Sequence, residues 1–290
     1  MSPIPFSKYH GLGNDVILID ALERPALAGL DWSALAPAWC DRRTGIGADG
    51  ILVLQPDADD RVRVRIINAD GSDGGVCGNG LRCAALHMVD RHGADPDRVR
   101  LVTARGPTDV RCVRRGGELI ATVDMGEPIL DARAIPVLAD NPRVIDAEPV
   151  VPLALGVRMT CVSVGNPHAV FFENHPGQVD LSRVGLLIER HPRFPRRVNV
   201  QVACVQSPTR ATLRTWERGV GLTRACGTGA CAVLVAGVLT GRLARQADIE
   251  LVGGVLNIEW NQAANRLLMT GPAERTFTGQ ATSHHTPPTF

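Results

Sequence analysis

The sequence predicts an α/β (α+β) chain of two pseudo-symmetric domains, each made mostly of antiparallel strands around one central helix. Three observations lead there. Short β-branched or alternating runs recur along the 290 residues, bounded by turns rich in glycine, proline and aspartate. Two apolar helical segments open on the same pattern, C-G-x-G, as "CGNG" at Cys77 and "CGTG" at Cys226. The flanking features recur in order: Gly13-Asn14 and Gly165-Asn166 each end a strand, and 63 positions separate Asn14 from Cys77 where 60 separate Asn166 from Cys226. Asn68 lies nine residues before Cys77, as Glu217 does before Cys226. Such matched order marks an internal repeat. It divides the chain into residues 1–125, with 272–290 packing back on them, and residues 126–271.

Each element follows from local pattern. "YHGLGNDVILID" reads as a strand, a glycine turn and a strand. "ILVLQ" and "RVRVRII" are strands with the turn "PDADD" between them. "NADGSDGGV" is a loop, and "CGNGLRCAALHMVDRHG" is a helix that glycine opens and Gly93 closes. Strands follow at "RVRLVTA", "DVRCVR" and "ELIATVDM". "VRMTCVSVGNPHAVFF" starts the second round, and "RVNVQVACVQ" and "ATLRTWERG" are its next strands. "CGTGACAVLVAGVLTG" is its helix, and "DIELVGG", "VLNIEW" and "RLLMTG" close it. The polar, proline-containing tail "GQATSHHTPPTF" reads as frayed.

Composition narrows the function classes. With 31 basic and 30 acidic residues, the charge is nearly balanced, and no basic tract invites nucleic acid. The longest apolar run, Ala230 to Leu239, is too short to span a bilayer, and "MSPIPFSKYH" lacks the pattern of a signal peptide. A soluble cytoplasmic protein is expected. The eight cysteines are unevenly spread and include no C-x-x-C, so reduced thiols are expected rather than a disulfide scaffold or a zinc site. Lys8 is the sole lysine and sits near the N-terminus without a cofactor motif, which disfavours Schiff-base chemistry.

The chemistry concentrates at the two helix starts. A cysteine there meets the positive end of the helix dipole, which favours thiolate and can draw its pKa from about 8.5 toward neutrality. The small residues that follow let a ligand approach the backbone, whose free N–H groups bind an anion such as a carboxylate. Two such sites face to face, as pseudo-symmetry would bring them, suit inversion at an amino acid Cα. One thiolate removes the α-proton and a thiol on the other face returns one. Preorganised donors would stabilise the charge developing on the carboxylate.

At "GLGND", "NADGSDGGVCGNGLRC", "GNPHAV", "RVNV" and "ERGVGLTRACGTGACA" the sequence resembles the diaminopimelate epimerase family. The resemblance runs in the family's order from Gly11 to Ala232 and implies its two-domain fold. It also implies an isomerase that uses neither pyridoxal nor metal, interconverting L,L- and meso-diaminopimelate in lysine and peptidoglycan biosynthesis. By position, Cys77 and Cys226 match the acid/base thiols. Gly78, Asn79, Gly227 and Thr228 match the groups that hold the reacting carboxylate. Asn14, Asn68, Asn166, Asn199 and Arg218 match positions that bind substrate, largely its distal end. Glu217 and His168 match residues that assist catalysis, Glu217 with a substrate ammonium to accept from. Gly50 departs, standing where some members carry a substrate-touching glutamine. Phe277 stands where some members have a tyrosine linked to dimer formation, and a homodimer is the family expectation.

Plainer readings apply elsewhere. Cys83 and Cys231 read as core packing, Cys40, Cys112, Cys161 and Cys204 as structural thiols, and His87 and His92 as surface or helix-end residues. Asn14 and Asn166 also suit turns. The rival functions are another pyridoxal-independent racemase on the same scaffold, a cysteine-based metal or redox protein, and a non-catalytic amino acid binder.

Overall fold

A computed structural model describes residues 3–75, 77–151 and 157–282. The chain divides into two compact units, Met1–Val123 with Gly271–Phe290, and Asp124–Thr270. The expected sheet-rich α+β class holds.

The first unit begins with the hairpin β1 (Ile4–Gly11) and β2 (Asn14–Asp20), and continues through α1 (Trp32–Cys40), β3 (Gly50–Pro56) and β4 (Val62–Asn68). Then come α2 (Gly78–His92), β5 (Val99–Thr103), β6 (Gly106–Arg115) and β7 (Glu118–Gly126). The strands lie in chain order. β2–β3 and β4–β5 are parallel, and β1–β2, β3–β4, β5–β6 and β6–β7 are antiparallel. Residues 274–281 add an antiparallel strand beside β1, from His10↔Glu274 to Ile4↔Ala281. Gly279, Gln280 and Ala281 therefore belong to a strand, where the sequence reading had them frayed; residues 283–290 lie outside the described residues.

The second unit repeats this plan. It runs β8 (Met159–Ser163), β9 (Pro167–Phe172), α3 (Leu181–Glu189), β10 (Asn199–Ser207), β11 (Arg210–Glu217) and a short β12 (Gly221–Thr223). α4 (Gly227–Leu239), β13 (Gln246–Leu251), β14 (Gly254–Asn261) and the part of β15 (Arg266–Ala281) up to Thr270 complete it. β9–β10 and β11–β13 are parallel, and β8–β9, β10–β11, β13–β14 and β14–β15 antiparallel. Apart from β12, strand order and direction match the first unit element for element.

Parallel neighbours need a crossover, which here is a helix. α2 and α4 serve β4–β5 and β11–β13. α1 and α3 serve β2–β3 and β9–β10; neither was read from sequence, so each unit carries a second helix beyond the central one. Asp31 and Asp180 cap α1 and α3, accepting from the backbone N–H of Ala34 and Arg183. Each sheet is thus covered on both faces. Ile51 and Val53 of β3 join Trp32 and Trp39 of α1 in one core, while Leu52 between them meets α2 at Gly80. Burial on both faces is why "ILVL" reads as an unbroken apolar run. α2 packs against β1 through β6, and α4 against β8–β11, β13 and β14. Every residue of α4 from Gly227 to Gly237 is buried, as a helix apolar on all sides must be. Gly93 ends α2 in the left-handed conformation, at φ 63°. No helix among the described residues is long and apolar enough to cross a membrane.

Candidate active site

Cys77 and Cys226 occupy the same place in their units: each is the N-cap of the central buried helix. The first N–H groups of a helix lack partners within it, so both helix starts present donors. At Cys77 the Gly80 N–H donates to Sγ at 3.4 Å, and Sγ lies 3.9 Å from Asn14 Oδ1. Asn14 comes from the turn after Gly13 (φ 80°) and donates through Nδ2 to Asp49 at 2.9 Å. Behind it Arg42 bridges Asp15 and Asp49, and Lys8 pairs with Asp15 at 2.7 Å. Burial pushes the Asp15 carboxyl up, but hydrogen bonds from Arg42 and Lys8 outweigh it and bring its pKa down to about 2. Lys8 is therefore an internal counter-ion, buried to 6% exposure.

Asn68 ends β4 and donates to the Ser72 hydroxyl at 2.9 Å. Asn79 is buried, with its side-chain oxygen accepting from Arg82, which also donates to the Pro272 carbonyl at 3.1 Å. The side chain of Asn79 is thus spent on the scaffold, leaving its backbone N–H, with that of Gly78, at the helix mouth. Gly50 faces Asn68 across the β3–β4 ladder, and a Cβ there would stand 2.5 Å from the Ile67 carbonyl oxygen. The strand pairing itself requires glycine.

In the second unit Cys226 is buried at 4% exposure, its Sγ 3.6 Å from the Thr228 hydroxyl. Glu217, at the end of β11, hydrogen-bonds the Cys226 thiol. Burial pushes this thiol well above its ordinary pKa and the Glu217 carboxylate adds to the effect; Thr228 and the Gly229 N–H act the other way and lose. The dipole argument made from sequence is corrected here: desolvation wins, and Cys226 is a thiol. Gly229 has a reason beyond ligand approach, since a Cβ there would meet the Gln201 amide at 2.7–2.8 Å.

His168 is fully buried in β9 and bridges Gln201 and Asn166. Gln201 Oε1 accepts from Thr215 at 2.7 Å, so its amide nitrogen donates to His168 Nδ1 at 3.1 Å. That assigns the ring proton to Nε2, which donates to Asn166 Oδ1 at 2.9 Å. Burial, reinforced by the Arg218 charge, lowers the His168 pKa to about 3. The imidazole is neutral and both nitrogens are engaged. Asn199 donates to the Pro167 carbonyl at 2.9 Å and accepts from the Arg218 backbone N–H at 3.0 Å. The exposed Arg218 guanidinium donates to the Arg196 carbonyl at 2.9 Å.

The first unit thus gathers Asn14 with Cys77; the second gathers Asn166 with His168, Asn199 with Arg218, and Glu217 with Cys226 and Thr228. Phe277 stands apart on β15, 46% exposed and edge-on to Phe6 at 6.0 Å. Sequence reasoning missed Gln201, Thr215 and Glu189. Glu189 is buried at the end of α3, where it accepts from Trp216 Nε1 at 2.7 Å and from the Gly219 N–H at 3.1 Å, fixing the turn after Glu217. A glutamate closing the apolar run "VGLLIE" was the available signal. Among the described residues no cysteine is in a disulfide, and burial raises Cys40, Cys83 and Cys161 to about 12 and Cys112 to about 11. His87, expected at the surface or at a helix end, is buried against Tyr9 and Asp20.

This arrangement of two repeated units is a fold that solved structures share. A probable proline racemase from Agrobacterium radiobacter superposes with a TM-score of 0.72 at 15% identity, covering 98% of this chain and 94% of that one. An epimerase predicted in Pseudomonas aeruginosa gives 0.68 at 18%, covering 96% and 98%. These show the fold. A family model described as Diaminopimelate epimerase matches residues 6–130 and 160–276. Diaminopimelate epimerases of Heliobacterium modesticaldum and Synechocystis are 41% and 43% identical over 277 and 286 residues. They cover 95% and 96% of this chain and 98% and 99% of their own. The chain belongs to the diaminopimelate epimerase family, a family of isomerases.

Proposed function

We propose that this chain inverts one Cα of diaminopimelate, interconverting the L,L and meso forms, with Cys77 and Cys226 as its two acid/base groups. The observation that carries the reading is the equivalent placement of the two thiols, each at the mouth of a buried helix with its own polar set. The names of its relatives supply the substrate. The α-proton passes to the Cys77 thiolate, and its electron pair moves toward the α-carboxylate. The N–H groups of Gly78, Asn79, Gly227 and Thr228 hold that carboxylate and the charge that develops on it. Cys226 then gives its S–H proton to the opposite face and becomes the thiolate; the return reaction exchanges the roles. The raised pKa of Cys226 suits the acid of this pair.

Glu217 orients the Cys226 thiol and accepts from the substrate ammonium. His168 is a positioning residue rather than a proton carrier, because its neutral ring holds Asn166. Asn14, Asn68, Asn166 and Arg218 receive the distal amino acid group, and Asn199 positions Arg218 through its backbone. Residues 1–125 with 272–290, and residues 126–271, are the two epimerase halves. The enzyme works without a cofactor, in the cytoplasm and for lysine and peptidoglycan synthesis, as a homodimer with Phe277 at its contact. Incubation with L,L-diaminopimelate should yield the meso isomer. Racemisation of proline without turnover of diaminopimelate would overturn the substrate assignment.

A further inference from the structure

At the opposite end of α2 from Cys77, about 20 Å along the helix by its rise per residue, three ligand-type side chains converge. Asp20 closes β2, and its Oδ2 lies 2.9 Å from His87 Nε2 and 2.7 Å from His92 Nε2. Asp20 Oδ1 is already held by the backbone N–H groups of Leu22 and Glu23, which aims Oδ2 at the imidazoles. All three ligand atoms lie within 4.8 Å of one another. Five residues apart, the two histidines stand about 140° apart around an ideal helix, so spacing alone hides the pair. Their ring centroids are nonetheless 5.7 Å apart.

We propose that Asp20, His87 and His92 bind a divalent transition metal ion through an N,N,O set, with water completing the coordination. Two imidazoles and one carboxylate suit zinc, cobalt or nickel, with metal–ligand distances of about 2.0–2.2 Å. In a tetrahedral site such ligand atoms stand roughly 3.3 Å apart, so the two Asp20–histidine separations would lengthen by roughly 0.4–0.6 Å. The set has an outer partner as well. Tyr9 Oη is 3.0 Å from His87 Nδ1. When Nε2 gives its lone pair to the metal, its proton sits on Nδ1 and donates to Tyr9, the orienting contact that ligating histidines typically make. The ion would clamp the end of β2 to the last turn of α2, the helix whose first turn carries Cys77.

The test is zinc titration of the metal-free full-length chain by calorimetry, with a parallel cobalt spectrum. One equivalent should bind, zinc should raise the melting temperature, and cobalt should show d–d bands without thiolate charge transfer. His92→Gln, at a partly exposed position, should weaken binding at least about tenfold, and Tyr9→Phe about tenfold. No zinc binding, thiolate charge-transfer bands in the wild-type spectrum, or undiminished affinity in His92→Gln would overturn the site and leave a metal-independent hydrogen-bonded triad.

Discussion

The two thiols of the proposed reaction differ in the substrate-free chain. Cys226 is buried beside a carboxylate and stays protonated, whereas Cys77 is part-exposed with a backbone N–H aimed at its sulfur. In the second unit His168, with its pKa lowered to about 3, carries no charge at neutral pH. The profile of kcat/KM against pH should therefore show no inflection near 6.5 from this histidine. Its stability signature has a definite sign. An unfolded histidine takes up a proton below about 6.5 while folded His168 does not, so stability falls as pH drops from 6.5 toward 3. Urea unfolding should show about 2 kcal/mol lost between pH 7.5 and pH 5 from this group, and His168→Gln should flatten that slope. An unchanged slope in the variant would show that His168 titrates normally. Gly50 makes a second residue-scale case. Gly50→Gln should cost about 1–3 kcal/mol through the clash with the Ile67 carbonyl and gain no substrate contact, read as a lower urea midpoint with no fall in KM.

At the scale of elements, one row of hydrogen bonds crosses three neighbouring strands. Thr215 of β11 fixes Gln201 of β10, which fixes His168 of β9, which fixes Asn166 in the turn before it. Gln201 also packs on Gly229 in the first turn of α4. Gln201→Leu removes the donor to His168 and leaves buried polar groups unpaired, at about 1–3 kcal/mol. It should lower kcat/KM by on the order of ten- to a hundredfold, through misplacement of Asn166. If activity survives the substitution unchanged, the row is structural only. This row also marks where legibility in the sequence ended. "GNPH" and "RVNV" announced Asn166, His168 and Asn199 through the family resemblance that these runs carry. The partners Gln201 and Thr215 meet only through strand register, which no local spacing records. α1 and α3 were unread for a related reason. α1 is short and contains Pro37, and the need for either helix appears only once β2–β3 and β9–β10 are seen to be parallel.

Over the whole molecule, repetition was the most legible feature. Matched C-G-x-G starts and matched spacings pointed to two copies of one plan, and the units do share their order of strands, crossovers and capping cysteines. What the repeat could not convey was the difference between the copies: a charged network behind Asn14 in one, a buried neutral histidine behind Asn166 in the other. Both copies are needed if the proposed chemistry is right, so Cys77→Ala and Cys226→Ala should each lower inversion by about a hundredfold or more. The most direct measurement is inversion of L,L-diaminopimelate in deuterium oxide, with isotope content read at early times. Two distinct acid/base thiols predict that the meso product carries deuterium at the inverted Cα while unconsumed substrate remains protiated. Product that retains the original proton, or full inversion with either cysteine replaced, would contradict the account.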